Sequence, residues 1–69
     1  MKITVNNEIQ NYDESVSLTK LLAKNNVENP DMVAVQVNGE FVNKDDFASV
    51  NLAENDVVDF LFFMGGGSI

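Results

Sequence analysis

Polar and apolar positions alternate through Met1-Lys2-Ile3-Thr4-Val5, the two-residue period of a strand with one face turned inward. Asn6-Asn7-Glu8 has tight-turn chemistry, and Ile9 to Tyr12 predicts an antiparallel return, so the chain opens with a hairpin. Asp13-Glu14-Ser15 breaks the alternation, and the period then changes. Leu18, Leu21 and Leu22 fall at i, i+3 and i+4, one apolar helical face. Ser17 stands where its hydroxyl can accept from an orphan N–H of the first turn. Asn25-Asn26 and then Asn29-Pro30 end the helix, because the residue before proline is steered out of the helical region. A helix of about two to three turns exists only through its packing.

The second half is richer in strands. Met32 to Val37 is apolar and β-branched, with Val33, Val35 and Val37 on one face. Asn38-Gly39 is the strongest hairpin signal in the chain, since a type I′ turn requires positive φ at both central residues; Glu40-Phe41-Val42 is the return strand. Asn43 to Phe47 predicts a loop or a single helical turn capped by Asn43. Leu52 and Ala53-Glu54-Asn55-Asp56 precede the last strand, Val57 to Met64, and Gly65-Gly66-Gly67-Ser68-Ile69 follow. The order is β-β-α-β-β-β. One short helix covers one face of a sheet, which predicts a two-layer α+β domain over residues 1–64 with a flexible glycine-rich tail at 65–69.

Composition narrows the chemistry. The 69 residues include no Cys, which removes disulfides and zinc–thiolate sites, and no His, which removes the usual general base near neutral pH. Carboxylates and lysines alone are a poor inventory for an autonomous enzyme. The net charge of −7, with Lys2, Lys20, Lys24 and Lys44 as the only side-chain cations, argues against nucleic acid and favours a basic protein partner. The start of the chain has no signal-peptide core, and Phe60-Leu61-Phe62-Phe63-Met64 is too short to span a bilayer. The expected setting is the cytoplasm, with no membrane association.

Side chains alternate faces along the last strand, so Val58, Phe60, Phe62 and Met64 share one face and Val57, Asp59, Leu61 and Phe63 the other. With the helix on the first face, Leu61 and Phe63 lie on the open side and form a protein-binding patch. The competing reading, a strand covered on both faces, needs a second layer that one short helix does not supply. Asp59 either meets a basic partner side chain or keeps the open face soluble; the sequence leaves both open. Three consecutive glycines suit a thin thread that enters a narrow channel, although on composition alone a disordered terminus or linker remnant is the better reading. Asp13-Glu14, Asp45-Asp46 and Glu54/Asp56 lack the spacing of a calcium loop and read as solvated turns. Lys20 and Lys24 read as a solvated face, and Tyr12 and Phe47 as core edges.

Taken together, Ser17-Leu18 leading into Leu21-Leu22, then Val35-Gln36-Val37-Asn38-Gly39-Glu40-Phe41-Val42, then Asp56-Val57-Val58 running to Phe62-Phe63-Met64-Gly65-Gly66, resemble the ThiS family of sulfur carriers. That family belongs to the ubiquitin-like β-grasp superfamily and is related to MoaD. The resemblance covers the whole chain and implies a β-grasp sheet of about four to five strands with one main helix packed on one face. It implies a carrier, not an enzyme: an E1-like, ThiF-like activating enzyme uses Mg-ATP to adenylate the C-terminal glycine carboxylate. Sulfur then replaces an oxygen, and the thiocarboxylate supplies a ThiG-like thiazole synthase in thiamin thiazole formation. No cofactor is bound by the carrier itself. The attachment point is Gly66, or Gly67 if trimming occurs there, with Gly65, Gly66 and Gly67 as the tail and Asp59, Leu61, Phe63 and Met64 as the partner-binding residues. Ser68-Ile69 depart from the family pattern, which ends at its glycine, so a C-terminal processing protease is a further implied partner. A MoaD-like or other-pathway carrier, a ubiquitin-like modifier and a non-catalytic β-grasp interaction domain are the alternatives.

Overall fold

The computed structural model describes residues 1–62, and within them β1 (Lys2–Val5) and β2 (Glu8–Asn11) form the opening hairpin. Asn6 and Asn7 carry the turn at φ 49° and 70°, the left-handed pair that a two-residue type I′ connection requires. Helix α1 (Leu18–Lys24) follows, then a short 3-10 helix (Pro30–Met32), β3 (Val33–Val37), β4 (Glu40–Val42), a second 3-10 helix (Lys44–Ser49) and β5 (Val57–Phe62). The strands make one five-stranded sheet in the order β2-β1-β5-β3-β4. It is mixed: β5 runs parallel to β1 (Thr4↔Val57, Val5↔Val58) and antiparallel to β3 over five pairs from Val33↔Phe62 to Val37↔Val58. The last strand is therefore the middle of the sheet, and the architecture is the α+β, β-grasp one that the resemblance implies.

Helix α1 begins where the sequence predicts. Ser17 is extended, and its Oγ accepts from the Lys20 N–H at 3.1 Å. The helix stops at Asn25-Asn26, before proline acts. Asn26 is left-handed at φ 66°, its N–H donates to Ala23 O, and Val27 N–H donates back to Leu22 O at 2.9 Å. These are the paired closing bonds of a Schellman end, with Asn in the place glycine usually takes. Pro30 acts later, as the first residue of the 3-10 turn, with Asn29 held extended before it.

Ile3, Val5, Val33, Val35, Val58 and Phe60 from the sheet meet Leu18, Leu21 and Leu22 from α1, joined by Val16, Phe47 and Leu52. Each such side chain contributes roughly 1.5–3 kcal/mol by leaving water. Tyr12 packs against this core half-exposed, while Phe47 is fully inside it, deeper than a core edge.

Four expectations are corrected in detail. β2 lies one residue earlier than Ile9–Tyr12. β3 starts at Val33 because Met32 closes the 3-10 turn and is 40% exposed. The segment after Asn43 is a six-residue 3-10 helix, and Asn43 makes no side-chain cap bond. Phe62 does stand on the helix face, opposite Val33, yet it is 55% exposed. β1 ends at Val5, so the last residues of β5 pair with β3 alone and the core does not extend over Phe62. Its ring instead packs edge-on against Phe60, centroids 6.4 Å apart.

Candidate functional site

The site follows from how β5 is held and what it presents. Its entry is fixed by Asn38, the first residue of the β3–β4 turn at φ 53°. Asn38 Oδ1 accepts from Val57 N–H at 2.9 Å, its backbone N–H donates to Val57 O, and its Nδ2 donates to Asp56 Oδ1 at 3.0 Å. The other Asp56 oxygen accepts from Ala53 N–H at 2.8 Å, closing the turn that delivers the strand. Farther along, Phe60 N–H finds no β1 carbonyl, because β1 has already turned. Asn6 Oδ1 accepts from it at 2.8 Å, so a turn side chain stands in for the missing backbone partner. β5 is thus clamped from both hairpin turns.

Alternation then divides its side chains. Val58 and Phe60 are buried beneath α1, while Val57, Asp59 and Leu61 face the uncovered side, as the sequence predicts. Asp59 pairs across with Gln36, which pairs with Phe41, and Leu61 pairs with Ala34. Ile9, Thr4 and Val57 form a second row. The open face therefore carries Ile9, Phe41, Val57 and Leu61 as exposed apolar side chains around a half-buried carboxylate, Asp59. Monomeric surfaces keep such groupings small unless they bind something. Asp59 forms no ion pair among the described residues, so both roles foreseen for it stand. Phe63, Met64, Gly65, Gly66 and Gly67 lie outside the described residues, as does the boundary between domain and tail.

The sequence reading missed Phe41 and Ile9. The signal was present. A two-residue turn at Asn38-Gly39 sets Val37 opposite Glu40 and Gln36 opposite Phe41, so inward Val35 and Val37 force Phe41 outward.

Of the carboxylate pairs, Glu54/Asp56 serves as turn chemistry. Glu54 Oε2 accepts from Lys2 N–H at 3.0 Å, and Asp56 has the partners given above. Among the described residues no three acidic side chains gather into a metal site, and no helix is long and apolar enough to cross a membrane. Lys24 stands over the Tyr12 ring at 5.6 Å. Lys44 pairs with Asp31, whose hydrogen bond and negative charge raise the ammonium above its ordinary value.

The comparisons agree with this geometry. The crystal structure of a thiamine biosynthesis protein, ThiS, from Geobacter metallireducens superposes with a TM-score of 0.82 at 38% identity, covering 97% of this chain and all of that one. The solution NMR structure of a thiamine biosynthesis protein from the same organism gives 0.80 at 37% identity, covering 100% of this chain and 91% of that one. A thiazole synthase of Paramagnetospirillum magneticum is 35% identical over 68 residues, 99% of this chain, and this chain spans only 21% of that protein's length. The model of the ThiS family matches residues 3–67, from the first core residue of β1 through the glycine run. A match over nearly the whole length, at the same fold, places this chain in the ThiS family of β-grasp sulfur carriers.

Proposed function

We propose that the chain carries sulfur as a thiocarboxylate on the terminal glycine of its Gly65-Gly66-Gly67 run, Gly66 or Gly67, and gives it up in thiazole formation for thiamin. The observation that carries this reading is the family match over residues 3–67, which runs unbroken through β5 into the glycines. A chain without Cys or His has neither a thiolate nucleophile nor an imidazole base, a poor inventory that suits a carrier whose chemistry is supplied by partners.

An ionised carboxylate resists attack by sulfur. A partner of the E1-like, ThiF-like kind corrects this with Mg-ATP. The carboxylate oxygen attacks the α-phosphorus, pyrophosphate leaves, and the acyl carbon becomes bonded to adenylate. A sulfide equivalent then forms the C–S bond as AMP departs with the C–O electron pair, leaving the thiocarboxylate. The carrier contributes a grip and a thread. Leu61, Phe41, Val57 and Ile9 present the apolar grip, Asp59 suits a cation on the partner, and Phe63-Met64 lead to glycines that offer no side chain to a narrow channel.

The delivery step suits a ThiG-like partner, since a protein named thiazole synthase contains a ThiS-like stretch within a much longer chain. Exposure of Gly66 or Gly67 as the reactive end calls for a processing protease that removes the residues after it. These steps belong in the cytoplasm, where ATP and the activating enzyme are supplied.

The test is the intact mass of the protein from its native cells, before and after a thiol-reactive alkylator. With no Cys in the chain, a thiocarboxylate is the one sulfur acid able to take up the reagent. A mass ending at Gly66 or Gly67, with one oxygen exchanged for sulfur and one alkyl group added, supports the carrier. A mass retaining Ile69, unaltered by activating enzyme with ATP and sulfide, overturns it. Higher-mass conjugates on lysines point to a protein modifier instead.

A further inference from the structure

We propose that the groove between α1 and the second 3-10 helix is a second protein-docking site, built for a basic segment that inserts an apolar side chain between flanking lysines or arginines. The groove is concave and about 310 Å³ in volume. Buried Leu22 and Phe47 make its floor, while Ala23, Ala48, Val27 and Pro30 make its walls. It exists because two walls are alanines: on exposed turns of helical elements, nothing larger than a methyl group fills the gap. Its volume lies at the low end of the range for ligand pockets, about 300–1,000 Å³, which fits one or two inserted side chains better than a cofactor. Water over such a lining is displaced at a gain in free energy.

Charge identifies the occupant. Glu28 and Asp45 stand on the rim, and Asp31 joins them through its ion pair with the lining residue Lys44. Lys44, the one lysine among the lining residues, is already held by Asp31, while Lys20 and Lys24 line a separate hollow beside Tyr12. An apolar insertion flanked by positive charge answers both the floor and the rim. Two nearer occupants fail this criterion. Residues 63–69 contain no Lys or Arg, and a second copy brings its own net charge of −7. The groove shares no residue with the open sheet face, so the proposal stands apart from the carrier reading.

The probe is a capped hexapeptide, Lys-Lys-Leu-Phe-Lys-Lys, titrated into the isotopically labelled full chain and followed by backbone amide shifts. Saturable shifts centred on Thr19, Ala23, Val27 and Ala48 are expected. Binding should weaken at least tenfold for the peptide with Ala-Ala in place of Leu-Phe, and for the one with Glu in place of Lys. The variant Ala23→Leu/Ala48→Leu, which fills the groove with good helix formers, should lose binding tenfold or more while its melting temperature is held. Shifts centred on Phe41 and Leu61, or spread without saturation over every acidic turn, overturn the proposal. So does equal binding by the Ala-Ala peptide or by the filled variant. If deleting residues 63–69 moves the Ala23 and Ala48 amides without peptide, the groove belongs to the chain's own end. If dilution alone moves them, it belongs to a second copy.

Discussion

The two faces of β5 carry similar side chains into opposite surroundings. Phe60 and Leu61 are neighbours in sequence, both large and apolar, yet Phe60 is 6% exposed and Leu61 is 49%. The difference lies in what the rest of the chain provides on each side: three leucines of α1 on one, solvent on the other. Apolar character therefore has two meanings within one strand, cohesion on the helix side and, in the function proposed above, recognition on the open side.

Substitutions at these neighbours give the sharpest contrast. Phe60→Ala should cost about 3–5 kcal/mol and leave the domain marginal or unfolded, measured by urea titration. The turn clamps come next, because both faces depend on the placement of β5. Asn38→Ala removes two side-chain bonds and leaves an alanine in a left-handed position, an expected loss of about 2 kcal/mol. If Asn38→Ala proves neutral in the same titration, the ladder to β3 alone positions the strand. Ser17→Ala tests the helix side through its cap and should lower stability by about 1 kcal/mol.

Leu61→Ser should change stability by no more than about 0.5 kcal/mol while slowing adenylation by the activating enzyme, read as pyrophosphate release. Unfolding by Leu61→Ser would erase the contrast between the faces. The smallest effect belongs to Lys44→Met. The pair with Asp31 is exposed, and its raised ammonium pKa means that its contribution is present below the ordinary lysine value of 10.5 and lost as pH rises through the folded value above it. The stability difference between Lys44→Met and the parent chain should be flat across neutral pH, vanish in strong alkali and shrink with salt.

Much of this arrangement was legible because local signals agree with one another. Asn38-Gly39 and Asn6-Asn7 specified their turns, Ser17 its cap, and the Leu18-Leu21-Leu22 spacing the buried helix face. The alternation in β5 placed Asp59 and Leu61 on the open side. What escaped was non-local. That Phe60 N–H would be met by Asn6, fifty-four residues earlier, depends on where β1 stops relative to β5. The exposure of Phe62 has the same origin, because face is a local property and depth is not. The groove escaped because Ala23 and Ala48 are informative only once α1 and the second 3-10 helix lie side by side.

The central place of β5 bears on synthesis. A ribosome releases β1, β2 and α1 first, then β3 and β4, and only afterwards the strand that sits between the two hairpins. Until Val57 to Phe62 have emerged, the nascent polypeptide holds two hairpins with no shared ladder, since among the described residues β1 pairs only with β2 and β5, and β3 only with β4 and β5. Closing the sheet means joining segments far apart in the chain, the slow kind of contact. Insertion of β5 thus completes the sheet at the threshold of the glycines, and an activating enzyme that reads the open face would engage only chains that have finished folding.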